Sequence, residues 1–209
     1  MGKSSIDYVY GSPEVVVPHE NLRELALSLV DGFSGDNGAV MAEVKRLGAI
    51  YSDVIDSPNT LLAFEGERCV GTGSFFKVGE TPAGKEILMF TRFCVLPEAR
   101  GQMVSGHLGI SLVQDIAERH PGALVCGTPH GLYARKYCEQ MGYKVALIKD
   151  YFEMEGAPDF FDDEWAIYIG DTEEGQNFSY DSQIFEQSKP LIADAISKVF
   201  GKKVLAKGV

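Results

Sequence analysis

The residues whose types and spacing could do chemistry lie in the run Val95-Leu-Pro-Glu-Ala-Arg-Gly-Gln-Met-Val-Ser-Gly-His-Leu108. An apolar, strand-like stretch ends at Pro97, a loop carries Arg100 and Gly101, and a helix opens around Ser105 and Gly106. A strand–loop–helix of this kind aims several backbone N–H groups and the positive helix end at one point. Such a point suits a phosphate or pyrophosphate, and a glycine lets the anion come close to the backbone. The same residues also read as an ordinary strand-to-helix connection with Gly101 in a turn, because short glycine motifs are weak signals. Downstream, His130-Gly-Leu-Tyr-Ala-Arg-Lys-Tyr-Cys-Glu-Gln-Met-Gly-Tyr143 reads as an amphipathic helix leading into an apolar strand.

The elements that must position these residues follow from periodicity. Residues 15–17 form a short strand-like run stopped by Pro18. Leu22, Leu25, Ala26 and Leu29 recur at spacings of three and four, predicting a helix over 20–30. A polar, glycine-rich loop and a second helix over 39–51 come next. The period then changes to two: 60–65 and 68–78 read as strands joined by a tight turn at Glu65-Gly-Glu67. Residues 87–96 form a strongly apolar strand, 105–119 a helix, 123–127 a short buried strand, and 131–141 a helix ending at Gly142. A final strand pair is expected over 143–154 and 164–169, with an acidic, aromatic loop between them. A last helix is expected over 188–200. The order predicts an α+β sheet with helices on both faces: one domain over 1–170, with a C-terminal helical extension over 171–209 packed on it.

Composition narrows the function classes. Lys and Arg number 19 against 30 Asp and Glu, a net charge of −11, which argues against a nucleic-acid binder and mildly favours cationic small substrates. No apolar run reaches the ~18 residues needed to cross a bilayer, so no membrane association is expected. The four cysteines, Cys69, Cys94, Cys126 and Cys138, make no Cys-x-x-Cys pair and no metal-ligand spacing with the four histidines. Three of them sit in apolar, strand-like runs as reduced, buried thiols, and a cytoplasmic location is expected.

The chain resembles the GNAT superfamily of acyl-CoA-dependent N-acyltransferases. The family's cofactor loop follows a Val-x-Pro strand end and reads Arg/Gln-x-x-Gly-x-Gly/Ala. Its last helix ends in a phrase like Leu-Tyr-Glu-Lys-Leu-Gly-Phe. Matching positions are Val95, Pro97 and Arg100-Gly-Gln-Met-Val-Ser105, then Tyr137-Cys-Glu-Gln-Met-Gly-Tyr143. The resemblance covers about 20–169 and is strongest over 93–143. Met103 and Ser105 stand where the family prefers glycine, and Cys138 stands where many members carry an acidic tyrosine.

The resemblance implies a mostly antiparallel six- to seven-stranded sheet and acetyl-CoA as acyl donor, with no metal. It implies a donor site at Phe93, Cys94, Val95, Arg100, Gly101, Gln102, Met103, Val104, Ser105 and Gly106. An amine, in the simplest case on a small molecule, would attack the thioester directly. Glu86 is the candidate base, with Asp150 and Glu153 as alternatives; each also reads as a solvated surface charge. Tyr137 and Cys138 are candidate acids, with Tyr133 as a substitute. Arg92 could hold a carboxylate-bearing acceptor or pair with a nearby acid. A degenerate, acyl-CoA-sensing domain and an acyl-carrier-protein-dependent N-acyl synthase are the alternatives to acetyl transfer. A monomer or homodimer fits either.

Overall fold

The computed structural model describes residues 5–29, 57–127, 136, 139, 144–156, 166–171 and 182–208. The class is mixed α+β, with mostly antiparallel strand pairs. The chain divides into two compact units, Met1–Phe75 with Thr91–Val113, and Phe76–Phe90 with Gln114–Val209.

The first unit holds β1 (Ile6–Tyr10), α1 (His19–Leu29), β2 (Thr60–Glu65), the first part of β3 (Arg68–Glu80) and the last part of β4 (Glu86–Val95). A 3-10 turn (Pro97–Ala99) and the opening turns of α2 (Val104–Arg119) complete it. Its strands run in the order β1-β2-β3-β4. β1 lies antiparallel to β2, with Tyr8 opposite Ala63, and β2 lies antiparallel to β3, with Thr60 opposite Ser74. The β2–β3 hairpin closes as expected, through Gly66 at φ +62, a conformation that a Cβ disfavours.

Leu22, Leu25 and Ala26, spaced along one face of α1, bury against Leu62, Cys69, Cys94 and Leu96. Beside them the β2–β3 register shifts between Ala63 and Phe64, leaving Val70 as an extra residue. Buried Asn21 serves the strand there. The Cys69 N–H donates to its Oδ1 at 2.8 Å, and its Nδ2 donates to the Cys69 carbonyl at 2.9 Å.

The strand expected at 15–17 is not formed. Val15 and Val17 pack against the α1 core instead, while Val16 is 79% exposed and Pro18 has no N–H to give a ladder. The strand of this region is β1, earlier in the chain. The helix expected over 39–51 and the one over 131–141 lie outside the described residues, apart from helical positions 136 and 139.

The second unit holds the rest of β3, β4 and α2, with β5 (Leu124–Gly127), β6 (Lys144–Leu147), α3 (Ile148–Tyr151), β7 (Phe152–Met154), β8 (Ala166–Asp171), α4 (Ser182–Phe200) and β9 (Val204–Ala206). β4 pairs parallel with β5, Ile87 opposite Leu124; β8 pairs antiparallel with both β5 and β6. Ile87, Leu88 and Met89 are all buried, as are Leu124, Val125 and Cys126. Continuous burial of this kind marks strands covered on both faces. Burial pushes the Cys126 thiol up to about 12.

The single strand expected over 143–154 is broken by the α3 turn. Ile148 and Phe152, one helical turn apart, are both buried, and β7 finds its partner in β9, fifty residues on, with Glu153 opposite Leu205. α4 starts earlier than expected because Phe185 is buried, its ring edge-on to Tyr151. Buried Lys189 ties α4 to the chain end by donating to the Lys207 carbonyl at 2.8 Å. No helix among the described residues is long and apolar enough to cross a membrane.

Candidate functional site

β4 changes character halfway along. Its ladder with β5 ends at the Phe90–Gly127 pair, and two residues later Arg92 stands at φ +53. A non-glycine residue in this left-handed region inside a strand is strained, and such strain gathers at functional sites. Beyond it, Leu96 N–H donates to the Val70 carbonyl at 2.8 Å. The trans peptide therefore directs the Val95 carbonyl away from β3, and strand geometry directs the Val95 N–H the same way. Of Cys94 and Val95, both expected at the donor site, the Val95 N–H lies on this outer edge, while the Cys94 N–H faces β3.

The loop after β4 turns the chain directly into a helix start. Leu96 leads into Pro97–Ala99, and Gly101 then turns the chain at φ +83. The first bond of the α2 ladder is His107 N–H to the Met103 carbonyl, 3.0 Å. The N–H groups of Val104, Ser105 and Gly106 precede that ladder, and no acidic residue stands in the first turn. N–H groups at the positive end of a helix suit an anion.

Met103, where the resemblance expects a glycine, stands at φ +64 and is 69% exposed. Its Cε lies 3.7 Å from where a Gly106 Cβ would stand. The backbone thus keeps the shape that glycine would favour, with a side chain added.

Glycines in β3 let α2 and β4 approach. A Cβ on Gly71 would stand 3.2 Å from Leu108 Cδ1 and from Val104 Cγ1. One on Gly73 would stand 2.8 Å from both Leu112 Cδ1 and Phe93 Cδ2. The close packing lays the Phe93 ring on β3, still 38% exposed, and brings the α2 N-terminus down to the strand. Tyr8 of β1 closes the far side, its hydroxyl 3.2 Å from His107 Nδ1 with the rings edge-on.

Arg100 does not simply project into solvent. Its Nε donates to the Val95 carbonyl at 3.2 Å and its Nη2 donates to Ser28 Oγ at 3.2 Å. The Ser28 hydroxyl donates to the same Val95 carbonyl at 3.2 Å. On the outer surface Arg68 joins Glu24 of α1 and Glu98 of the 3-10 turn, at 3.1 and 2.5 Å.

The remaining expected residues are placed as follows. Phe93 to Gly106 come together in the first unit as one strand end, loop and helix start. Glu86, in the second unit, begins β4: its Oε1 lies 2.7 Å from Lys77 Nζ, and its Oε2 lies 2.7 Å from His120 Nδ1. These partners, Lys77 first, hold its carboxyl below the ordinary value, so it is ionised at neutral pH and weakly basic. Asp150 lies in α3 and Glu153 in β7, both exposed. Tyr133, Tyr137, Cys138 and most of the acidic loop lie outside the described residues. Ser28, His107 and His120 were not singled out by the sequence, because each meets its partner far along the chain.

No protein-family model and no curated protein matches the sequence. Solved structures match through the fold. A protein of Desulfovibrio desulfuricans assigned to the GNAT acetyltransferase family is 14% identical, covering 80% of this chain and 99% of its own, with a TM-score of 0.51. A predicted acetyltransferase of Clostridium acetobutylicum, solved with acetyl-CoA, is 16% identical over 67% of this chain and 90% of its own, TM-score 0.51. Arabidopsis thaliana Naa50, in complex with the bisubstrate analogue CoA-Ac-MVNAL, is 15% identical over 79% of this chain and 97% of its own, TM-score 0.51. The fold is that of the GNAT acetyltransferases.

Proposed function

We propose that this protein is an N-acyltransferase that moves an acetyl group from acetyl-CoA to the primary amine of a small molecule. The observation that carries the reading is the strand edge at Val95 leading directly into the three-amide cradle of α2. Two structural neighbours were solved with acetyl-CoA or a CoA analogue. The donor's pyrophosphate is assigned to the N–H groups of Val104, Ser105 and Gly106, with Gly101 giving clearance. Its pantetheine arm is assigned to the edge of Phe93 and Val95, added like an extra strand.

The amine nitrogen attacks the thioester carbon, forming the C–N bond without a covalent enzyme intermediate. The carbonyl oxygen takes up negative charge, which the Val95 N–H is oriented to stabilise. As that oxyanion collapses the C–S bond breaks; the attacking nitrogen, positively charged after attack, releases a proton to water, and the departing thiolate takes one, for which Tyr137 and Cys138 are the proposed donors. An ammonium acceptor first gives up its own proton to water. The chain's acidity favours a cationic acceptor, and the proposed setting is the cytoplasm.

Thiol release from acetyl-CoA against a panel of small primary amines tests the reading. Release with at least one amine is expected, together with a melting temperature raised by acetyl-CoA. A raised melting temperature with no release across the panel would assign a sensor rather than an enzyme. No shift with acetyl-CoA, propionyl-CoA or free CoA would overturn acyl-CoA binding itself.

A further inference from the structure

Ser28 lies on α1, 72 residues before Arg100, and belongs to no recognisable motif of the donor loop. Its hydroxyl nevertheless completes a closed triangle. It donates to the Val95 carbonyl and accepts from Arg100 Nη2, while Arg100 Nε donates to that same carbonyl. One O–H donor and two lone pairs allow both roles at once. The Val95 carbonyl, which points away from β3, therefore receives two donors from the chain itself. Arg100 stands at the root of the loop, immediately after the 3-10 turn. Its planar fork thus locks the loop root to the strand end five residues earlier, and Ser28 locks both to α1.

We infer that Ser28 is a positioning residue of the donor site, acting through Arg100 to fix the spacing between the Val95 amide and the cradle amides of α2. The inference rests on the acyl-CoA reading above, in which those two groups grip opposite ends of one donor. It also gives Arg100 a specific role, in which the guanidinium holds the strand end and the phosphates are left to backbone N–H groups. Lysine, lacking the fork, would not replace it.

Calorimetric titration of the full chain with free CoA tests this, using Ser28→Ala, Ser28→Thr, Arg100→Ala and the Ser28→Ala/Arg100→Ala double variant, well below each melting temperature. Ser28→Ala is expected to weaken CoA about threefold to tenfold, the fold-change of about one net hydrogen bond. Ser28→Thr, which keeps the hydroxyl, is expected to restore affinity to within about twofold. The double variant should lose less than the sum of the two single losses, because Ser28 and Arg100 bond each other and share the Val95 carbonyl. Ser28→Cys, near in size with only a weak donor, gives the same reading if the alanine variant folds poorly. Binding by the wild type with Ser28→Ala and Ser28→Cys unchanged, or with the two losses adding in full, would overturn the inference alone. Absence of CoA binding by the wild type would overturn the acyl-CoA reading and the inference together.

Discussion

Replacing Met103 with glycine should stabilise the protein, although it removes a large side chain. Met103 holds φ +64, and an L-residue in the left-handed region costs roughly 1–2 kcal/mol. Glycine relieves that strain, but its freer unfolded chain takes back about 0.5–1 kcal/mol. The side chain is 69% exposed, so its truncation sacrifices little burial. The net gain is about 0.5–1 kcal/mol, or a melting temperature higher by about 1–4 °C for a chain of this size. Met103→Ala is the control, because it removes the same atoms beyond Cβ yet keeps the strained backbone. Urea unfolding of the three proteins should rank glycine above both methionine and alanine. Equal midpoints for the glycine and alanine variants, or a less stable glycine variant, would refute the strain argument.

Three further outcomes follow from the geometry. Gly73→Ala places a Cβ 2.8 Å from Leu112 and Phe93, so urea unfolding should show a loss of about 1–3 kcal/mol from overpacking; an unchanged midpoint would mean that α2 is not seated as described. Asn21→Leu leaves the Cys69 N–H and carbonyl without their partner, and the same assay should show a loss of about 2–4 kcal/mol. Glu86 is held below the ordinary carboxylate value of 4.5, so its contribution to stability is complete above that pH and drains away as pH falls through its lower folded value. Glu86→Gln should therefore lose less stability than the wild type between pH 6 and pH 3, with Lys77, Glu80 and His120 unchanged in both. Parallel acid limbs would sink that assignment.

What the sequence revealed was local. The β2–β3 hairpin, the end of β4 at Pro97 and the amphipathic run of α2 were legible because their signals lie within a few residues of one another. The strand–loop–helix after β4 was legible for the same reason, since its glycine, strand end and helix start are contiguous. Long-range partners left no such trace. Asn21 meets Cys69 across 48 residues, Ser28 meets Arg100 across 72, and Glu86 meets His120 across 34. The split of the expected strand at 143–154 depended on β9, a partner only three residues long at the other end of the chain. Val15 to Val17 misled because β-branched residues suit a strand but pack equally well against a helix when proline withholds an N–H.

The most direct test is a crystal structure of the full chain grown with saturating CoA. The expected result is pyrophosphate oxygens within hydrogen-bonding distance of the Val104, Ser105 and Gly106 N–H groups, with the pantetheine arm extended along Phe93 and Val95. CoA bound elsewhere, or that cradle empty of CoA at saturation, would contradict the proposed donor site.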